Sequence, residues 1–186
     1  MKILKKISVL LLFIIVFAAC KDNNVPKIDK TKVEQDRLLG SWEIASTKAY
    51  VNVNSKYKLQ LAPFDLEDKL QKRLDELTAN SGFHFEKEKI YFIKYGGMIR
   101  DSSRYELDEY KILLDNSYLI GSYAPYFYIK FSDDLLVTYL RRSETMELLK
   151  REDDMKSWMS LIESAVDDAQ CELRFRRREK SYFDYE

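Results

Sequence analysis

The chain has 186 residues, 46% of them hydrophobic, 13% aromatic and 33% charged, and its 31 basic and 31 acidic side chains balance. That length suffices for one domain with a substantial core, because a domain of about 150 residues buries roughly 68–70% of its unfolded surface. Five Gly, three Pro and two Cys exclude a collagen-like or disulfide-stapled chain. The apolar fraction excludes wholesale disorder, and the lack of a basic excess argues against a nucleic-acid partner.

The first twenty residues read as an address. Lys2, Lys5 and Lys6 precede an almost unbroken apolar run from Ile7 to Ala19, followed by Cys20. A basic start, a short apolar stretch and small residues before a cut describe a secretory leader, and the run is shorter than the roughly 20 residues that span a bilayer as a helix. Phe17-Ala18-Ala19-Cys20 resembles the bacterial lipobox, in which cleavage leaves the cysteine first and its thiol carries diacylglycerol. Several acyl chains on one terminus anchor a protein stably, each buried methylene contributing about 0.8 kcal/mol. Processing would leave 28 basic against 31 acidic residues and Cys171 as the one remaining thiol, a small core residue. Residues 1–19 are thus expected to be a leader, 20–37 the lipidated Cys20 with a polar tether, 38–180 the folded domain and 181–186 a tail. Lys21-Asp22 resembles the export signal of surface lipoproteins in the Bacteroidota, so an outer-membrane location is expected, facing either the periplasm or the cell surface.

From Leu38 onward short strands dominate. Trp42 and Ile44 share one face of the first strand. Asp65 then caps a helix whose stripe is Leu66, Leu70, Leu74 and Leu77, supported by Asp65/Lys69 and Asp68/Lys72 at i,i+4. Phe83 and Phe85 alternate with His84, and Ile90 to Tyr95 forms the next strand after the polar turn Glu86–Lys89. Gly96-Gly97 and Asp101-Ser102-Ser103 are breakers. Tyr105, Leu107, Tyr110 to Leu114, Tyr118 to Ser122, Tyr126 to Phe131 and Leu135 to Leu140 complete the series, with Ser132-Asp133-Asp134 as a tight turn. Ser143 begins a short helix, and a longer one with Met155, Trp158, Ile162, Val166 and Ala169 on one side runs from Asp153. Cys171 to Arg178 is the last strand, with Leu173 and Phe175 opposite Arg174 and Arg176. Eight or nine strands with frequent turns imply a mainly β, antiparallel sandwich or barrel.

Leu38-Leu39-Gly40-Ser41-Trp42 resembles the Gly-x-Trp opening of lipocalins, and more closely that of lipocalin-like lipoproteins from Bacteroidota. Those also place a helix after the first strand and helices before the last. The resemblance implies an antiparallel barrel of about eight strands over residues 38–178. It carries over Gly40 and Trp42, and a basic residue of the last strand laid over the tryptophan, for which Arg174, Arg176 and Arg178 are the candidates. An arginine in that place adds about 0.5–2 kcal/mol. The expected interior is Trp42, Ile44, Phe83, Phe85, Phe127, Ile129 and Phe131.

No reacting constellation stands out. His84 is the single histidine, facing away from the aromatic side of its strand, and neither a zinc ligand set nor a Gly-x-Ser-x-Gly elbow accompanies it. Asp133-Asp134, Asp153-Asp154 and Asp167-Asp168 lack the spacing of a calcium loop and fall at turns and helix ends. The sequence therefore assigns no catalytic residue, no metal and no cofactor. The basic run Arg174 to Lys180 reads as an outward strand face or an anionic-glycan contact. Tyr126 and Tyr128, on the face opposite Phe127, are the candidate surface patch. Two functions follow as expectations: a membrane-anchored, non-enzymatic binder of a small apolar or sugar-like ligand, or a protein-interaction subunit with no such ligand.

Overall fold

In the computed structural model, the described residues are 25–94, 98–115, 118–119, 122–123, 126–151 and 154–184. The leader, Cys20 and the Gly96-Gly97 breaker lie outside them. The architecture is a closed antiparallel barrel of eight strands with a few helices at its ends and side. Its strands are β1 (Gly40–Val53), β2 (Gly82–Phe85), β3 (Lys89–Lys94), β4 (Met98–Asp108), β5 (Lys111–Leu114), β8 (Tyr126–Ser132), β9 (Leu135–Leu140) and β10 (Val166–Arg177), in the spatial order β1-β10-β9-β8-β5-β4-β3-β2. The expected strand Tyr118 to Ser122 is instead a small separate hairpin of β6 (Tyr118–Leu119) and β7 (Ser122–Tyr123).

Helix α1 (Gln35–Leu38) precedes β1; α2 (Lys58–Leu61) and α3 (Leu66–Thr78) follow it; α4 (Arg142–Leu149) and α5 (Met159–Ala165) precede β10. Asp65 caps α3 by accepting the Asp68 amide at 3.3 Å, and Leu66, Leu70 and Leu74 are buried as the stripe predicts. Lys69 of α3, however, pairs with Asp154 rather than Asp65. The expected long helix from Asp153 to Ala169 is cut short, because β10 begins at Val166. Val166 pairs with Val53 and Ala169 with Val51, so this apolar run extends the barrel wall. Ladder pairing outweighs a helical period that four residues cannot sustain alone.

The base of the barrel is sealed by the stretch read from the sequence as tether. The Val33 amide donates to the Glu109 carbonyl at 2.8 Å, Gln35 Nε2 to the Lys87 carbonyl at 2.6 Å, and Arg37 to the Asp133 carbonyl at 3.5 Å. One short segment thereby ties together all three hairpin turns at that end, and Leu38 is fully buried among the core. At the mouth, Leu61, Met146, Leu149, Met155 and Ile162 from the helical segments join the same core.

Beyond Ile44, β1 has β10 on one side but no strand on the other. Helix α3 fills that edge with side chains. Gln71 Oε1 accepts the Ala49 amide at 2.8 Å, Glu67 accepts the Val51 amide at 3.2 Å, and Asp75 accepts the Thr47 hydroxyl. These helix positions are four apart and the strand positions two apart. The fit is geometric: four helical residues rise about 6 Å and two strand residues about 6.6 Å. Replacing Gln71 by Leu strands the Ala49 amide, so Gln71→Leu is expected to lower unfolding free energy by about 1–3 kcal/mol in urea titrations. A loss below about 0.5 kcal/mol would show that the edge needs no such partner.

Candidate functional site

The interior comes first, because a barrel of eight strands is just wide enough either to be filled by its own side chains or to hold one small ligand. Here aromatic rings converge from several strands. Phe83 lies 4.6 Å from Phe175, 5.5 Å from Phe92, 5.8 Å from Phe85 and 5.9 Å from Phe127, measured between ring centroids. Trp42, Phe83, Phe85, Phe127 and Ile129 are buried in this core, and Ile44 and Phe131 are half-buried against it. Beside the α3 C-terminus lies a cavity of about 30 Å³, lined by Leu77, Phe83, Phe92, Leu173 and Phe175 together with Lys94 and Arg100. A volume on the order of 30 Å³ is one water's share of the liquid.

Trp42 closes the base. Its indole Nε1 donates to the Leu38 carbonyl at 2.7 Å, and its ring meets Phe131 at 5.7 Å. The cation over its face is Arg177, at 5.0 Å, with a guanidinium hydrogen also given to the Leu39 carbonyl. None of the three arginines expected from the sequence occupies that place. Arg174 pairs with Glu172 at 2.6 Å, Arg176 with Glu43 at 2.6 Å, and Arg178, just past the end of β10, covers Tyr182 at 4.4 Å. The strand alternation explains the correction. Leu173 and Phe175 point inward, so the next inward position is Arg177, where the barrel ends and water reaches the charge.

The final segment is no free tail. Tyr182 is buried: its amide donates to Ser41 Oγ at 3.1 Å, and a Cβ on Gly82 would collide with its hydroxyl and with the Trp42 carbonyl. Phe183 sets its edge on His84 at 4.6 Å, whose Nδ1 lies 2.8 Å from Ser41 Oγ. The histidine expected to be solvated is therefore half-covered. Ser41 in this pair is buried, and its oxygen also accepts the Tyr182 amide. Burial holds His84 below the ordinary histidine pKa, against the opposing pull of Glu86 and Asp184. Cys171 is equally inert: burial pushes its thiol up to about 12. Among the described residues no three His, Cys, Asp or Glu side chains group as a metal site.

On the outside, Tyr126 and Tyr128 are brought together with residues the sequence reading missed. Tyr128 stacks with Tyr110 at 5.9 Å and meets Tyr126 edge-on at 5.7 Å. Arg141 lies 4.4 Å above Tyr126, donates to its hydroxyl, and is held by Glu144 at 2.9 Å. Lys111 lies over the Tyr110 and Tyr128 rings. The signal was present in part: Tyr128 pairs with Lys111, next in sequence to Tyr110, but that register is invisible before the strands are aligned. Chemically this is a ridge of flat aromatic faces with fixed cations, suited to a protein or glycan surface.

Two measurements check this geometry. Arg177→Ala is expected to destabilise the fold by about 0.5–2 kcal/mol in denaturant titration, whereas Arg176→Ala changes it by less than about 0.5 kcal/mol. For His84 the sign follows from its lowered pKa: the folded chain binds the proton less readily than the unfolded one. Its stabilisation is complete above pH about 6.5 and is lost as pH falls towards the lower folded value. NMR titration of its imidazole is expected to give a midpoint below that of a free histidine; a higher midpoint would refute the covering of His84. Compared with protein-family models, with curated proteins and with solved structures, the chain matches none.

Proposed function

We propose that this chain is a non-enzymatic, lipid-anchored barrel protein of the bacterial envelope that works through its outer surface, as a protein-interaction or structural subunit. On this reading it is a lipocalin-like lipoprotein of the Bacteroidota type, acylated on Cys20 and held at the outer membrane, facing the periplasm or the cell surface. One observation carries the choice between the two functions expected from the sequence: the convergence of Phe85, Phe92, Phe127 and Phe175 on Phe83 fills the volume where a lipocalin-type ligand would lie. The tyrosine ridge then supplies a contact surface. Its rings are rigid, amphipathic and already braced by Arg141 and Lys111, so little freedom is lost on binding.

In native envelopes, cross-linking is expected to yield a discrete adduct that vanishes in the Tyr126→Ser/Tyr128→Ser variant and persists in Arg176→Ala. An adduct indifferent to both tyrosines, or none in the unmodified protein, would overturn the assignment. The small-ligand reading keeps one foothold, the cavity beneath Lys94 and Arg100. A stoichiometric small molecule extracted from native protein, and absent from Phe92→Trp, would move the function inside.

A further inference from the structure

Past β10 the chain folds back on the barrel with few backbone ties. The Arg178 amide donates to the Ser41 carbonyl at 2.9 Å. Over residues 179–184 no backbone hydrogen bond joins the segment to a strand among the described residues. It closes a turn on itself instead, the Ser181 amide donating to Asp184 at 3.0 Å and the Phe183 amide to Ser181 Oγ at 3.1 Å. Side chains hold this turn in place. Tyr182 lies buried against Gly82, its hydroxyl donating to the Trp42 carbonyl at 3.4 Å and its amide to Ser41 Oγ at 3.1 Å. Phe183 packs on His84 at 4.6 Å and on Tyr91 at 5.2 Å.

A hydrogen count ties these contacts to one proton. Ser41 Oγ has a single hydrogen to give, and its partners among the described residues are the Tyr182 amide and His84 Nδ1, 2.8 Å away. The amide can only donate, so the Ser41 hydrogen goes to Nδ1. That nitrogen accepts it only while the imidazole is neutral and carries its proton on Nε2. Once Nδ1 is protonated both ring nitrogens are donors, and the hydroxyl hydrogen of buried Ser41 is left without an acceptor. We propose that residues 181–184 form a proton-operated clamp: neutral His84 holds the turn on β1 and β2, and the protonated imidazole releases it, vacating a ring-sized slot against Gly82. Release relieves the conflict, because water then reaches Ser41 and the charged ring. The charged groups that act on His84 are Glu86, just past its own strand, and Asp184 of the turn itself, and both favour the proton. From β3 it meets Tyr91, whose hydroxyl donates to Glu86 at 3.3 Å, and from β1 Ser41. Burial outweighs the two acids, so the covered ring resists a proton that the uncovered ring accepts. The clamp is closed at neutral pH and loosens as pH falls.

Amide hydrogen exchange of the full chain, followed by NMR from about pH 7.5 to about pH 5, tests the clamp. The Tyr182 amide is expected to lose protection as the His84 imidazole titrates, while Leu173 in the barrel wall keeps its own. The loss is expected to be about ten-fold for each pH unit between the His84 midpoints of the attached and detached forms. Tyr182→Ala/Phe183→Ala supplies the detached midpoint. In Glu86→Gln the imidazole midpoint and the loss of protection are expected to move together to lower pH. In His84→Phe, whose ring takes up no proton, protection is expected to stay constant over the range. Tyr182 protection that stays constant while His84 titrates overturns the clamp, and so does an equal loss in His84→Phe. Should His84→Phe fail to fold, Glu86→Gln decides: an imidazole midpoint that moves without the loss of protection overturns it.

Discussion

The structure depends on the packing of rings around Phe83. That residue touches aromatic partners from its own strand and from β3, β8 and β10, so walls on opposite sides of the barrel meet at one side chain. Each such pair adds about 0.5–1.5 kcal/mol beyond the area it buries, and each ring removes about 150–250 Å² from water. A hollow barrel of this size would forgo that contribution and depend on its walls alone. The filled one gains a single core continuous with the apolar faces of α1, α3, α4 and α5. Ring packing and open interior volume compete for the same space in a barrel of this size.

Closure creates a second constraint, since β2 is far shorter than β1 and leaves the upper half of β1 without a neighbouring strand. An uncovered edge invites pairing with another chain. Helix α3 answers with Glu67, Gln71 and Asp75, which bond the strand edge while Leu66, Leu70 and Leu74 of the same helix enter the core. Read from the sequence alone, the first set has no assigned role. The two tasks fall on adjacent sides of one helix because its polar positions repeat every four residues, in step with alternate residues of a strand.

The strands and their inward residues were legible because period-two alternation survives wherever one face is buried, as in Phe83/Phe85 and Phe127/Ile129. What escaped was set by partners distant in sequence. Val166 to Ala169 reads as helix until β1 is seen to offer it a ladder. Val33 and Gln35 read as tether until three hairpin turns present their carbonyls at one place. Arg177 was passed over for its neighbours although the alternation that faces Leu173 and Phe175 inward also selects it. A charged residue on an inward register runs against the rule for interiors and is tolerated only where the strand leaves the barrel. The outer tyrosine ridge was half visible: Tyr126 and Tyr128 share a face by alternation, while Tyr110, Lys111 and Arg141 join them only through strand order and the start of α4.

The same lengths that close the barrel also give it two unlike ends. β1 and β10 are the longest strands and pair up to Val53 and Val166, so their far ends extend together at the mouth. The helical connections sit there because the extension offers them an apolar face, to which they give Leu61, Met155, Ile162 and Ala165. A short helix that turns one side chain inward necessarily turns its neighbours outward. Leu61 is buried while Leu59, two positions earlier on the same turn, is almost wholly exposed. At the base, the tight hairpins are tied instead by the segment from Val33 to Arg37. The closed core thus fixes where every described connection emerges, and a rigid scaffold holds those connections and the outer faces of the strands in place.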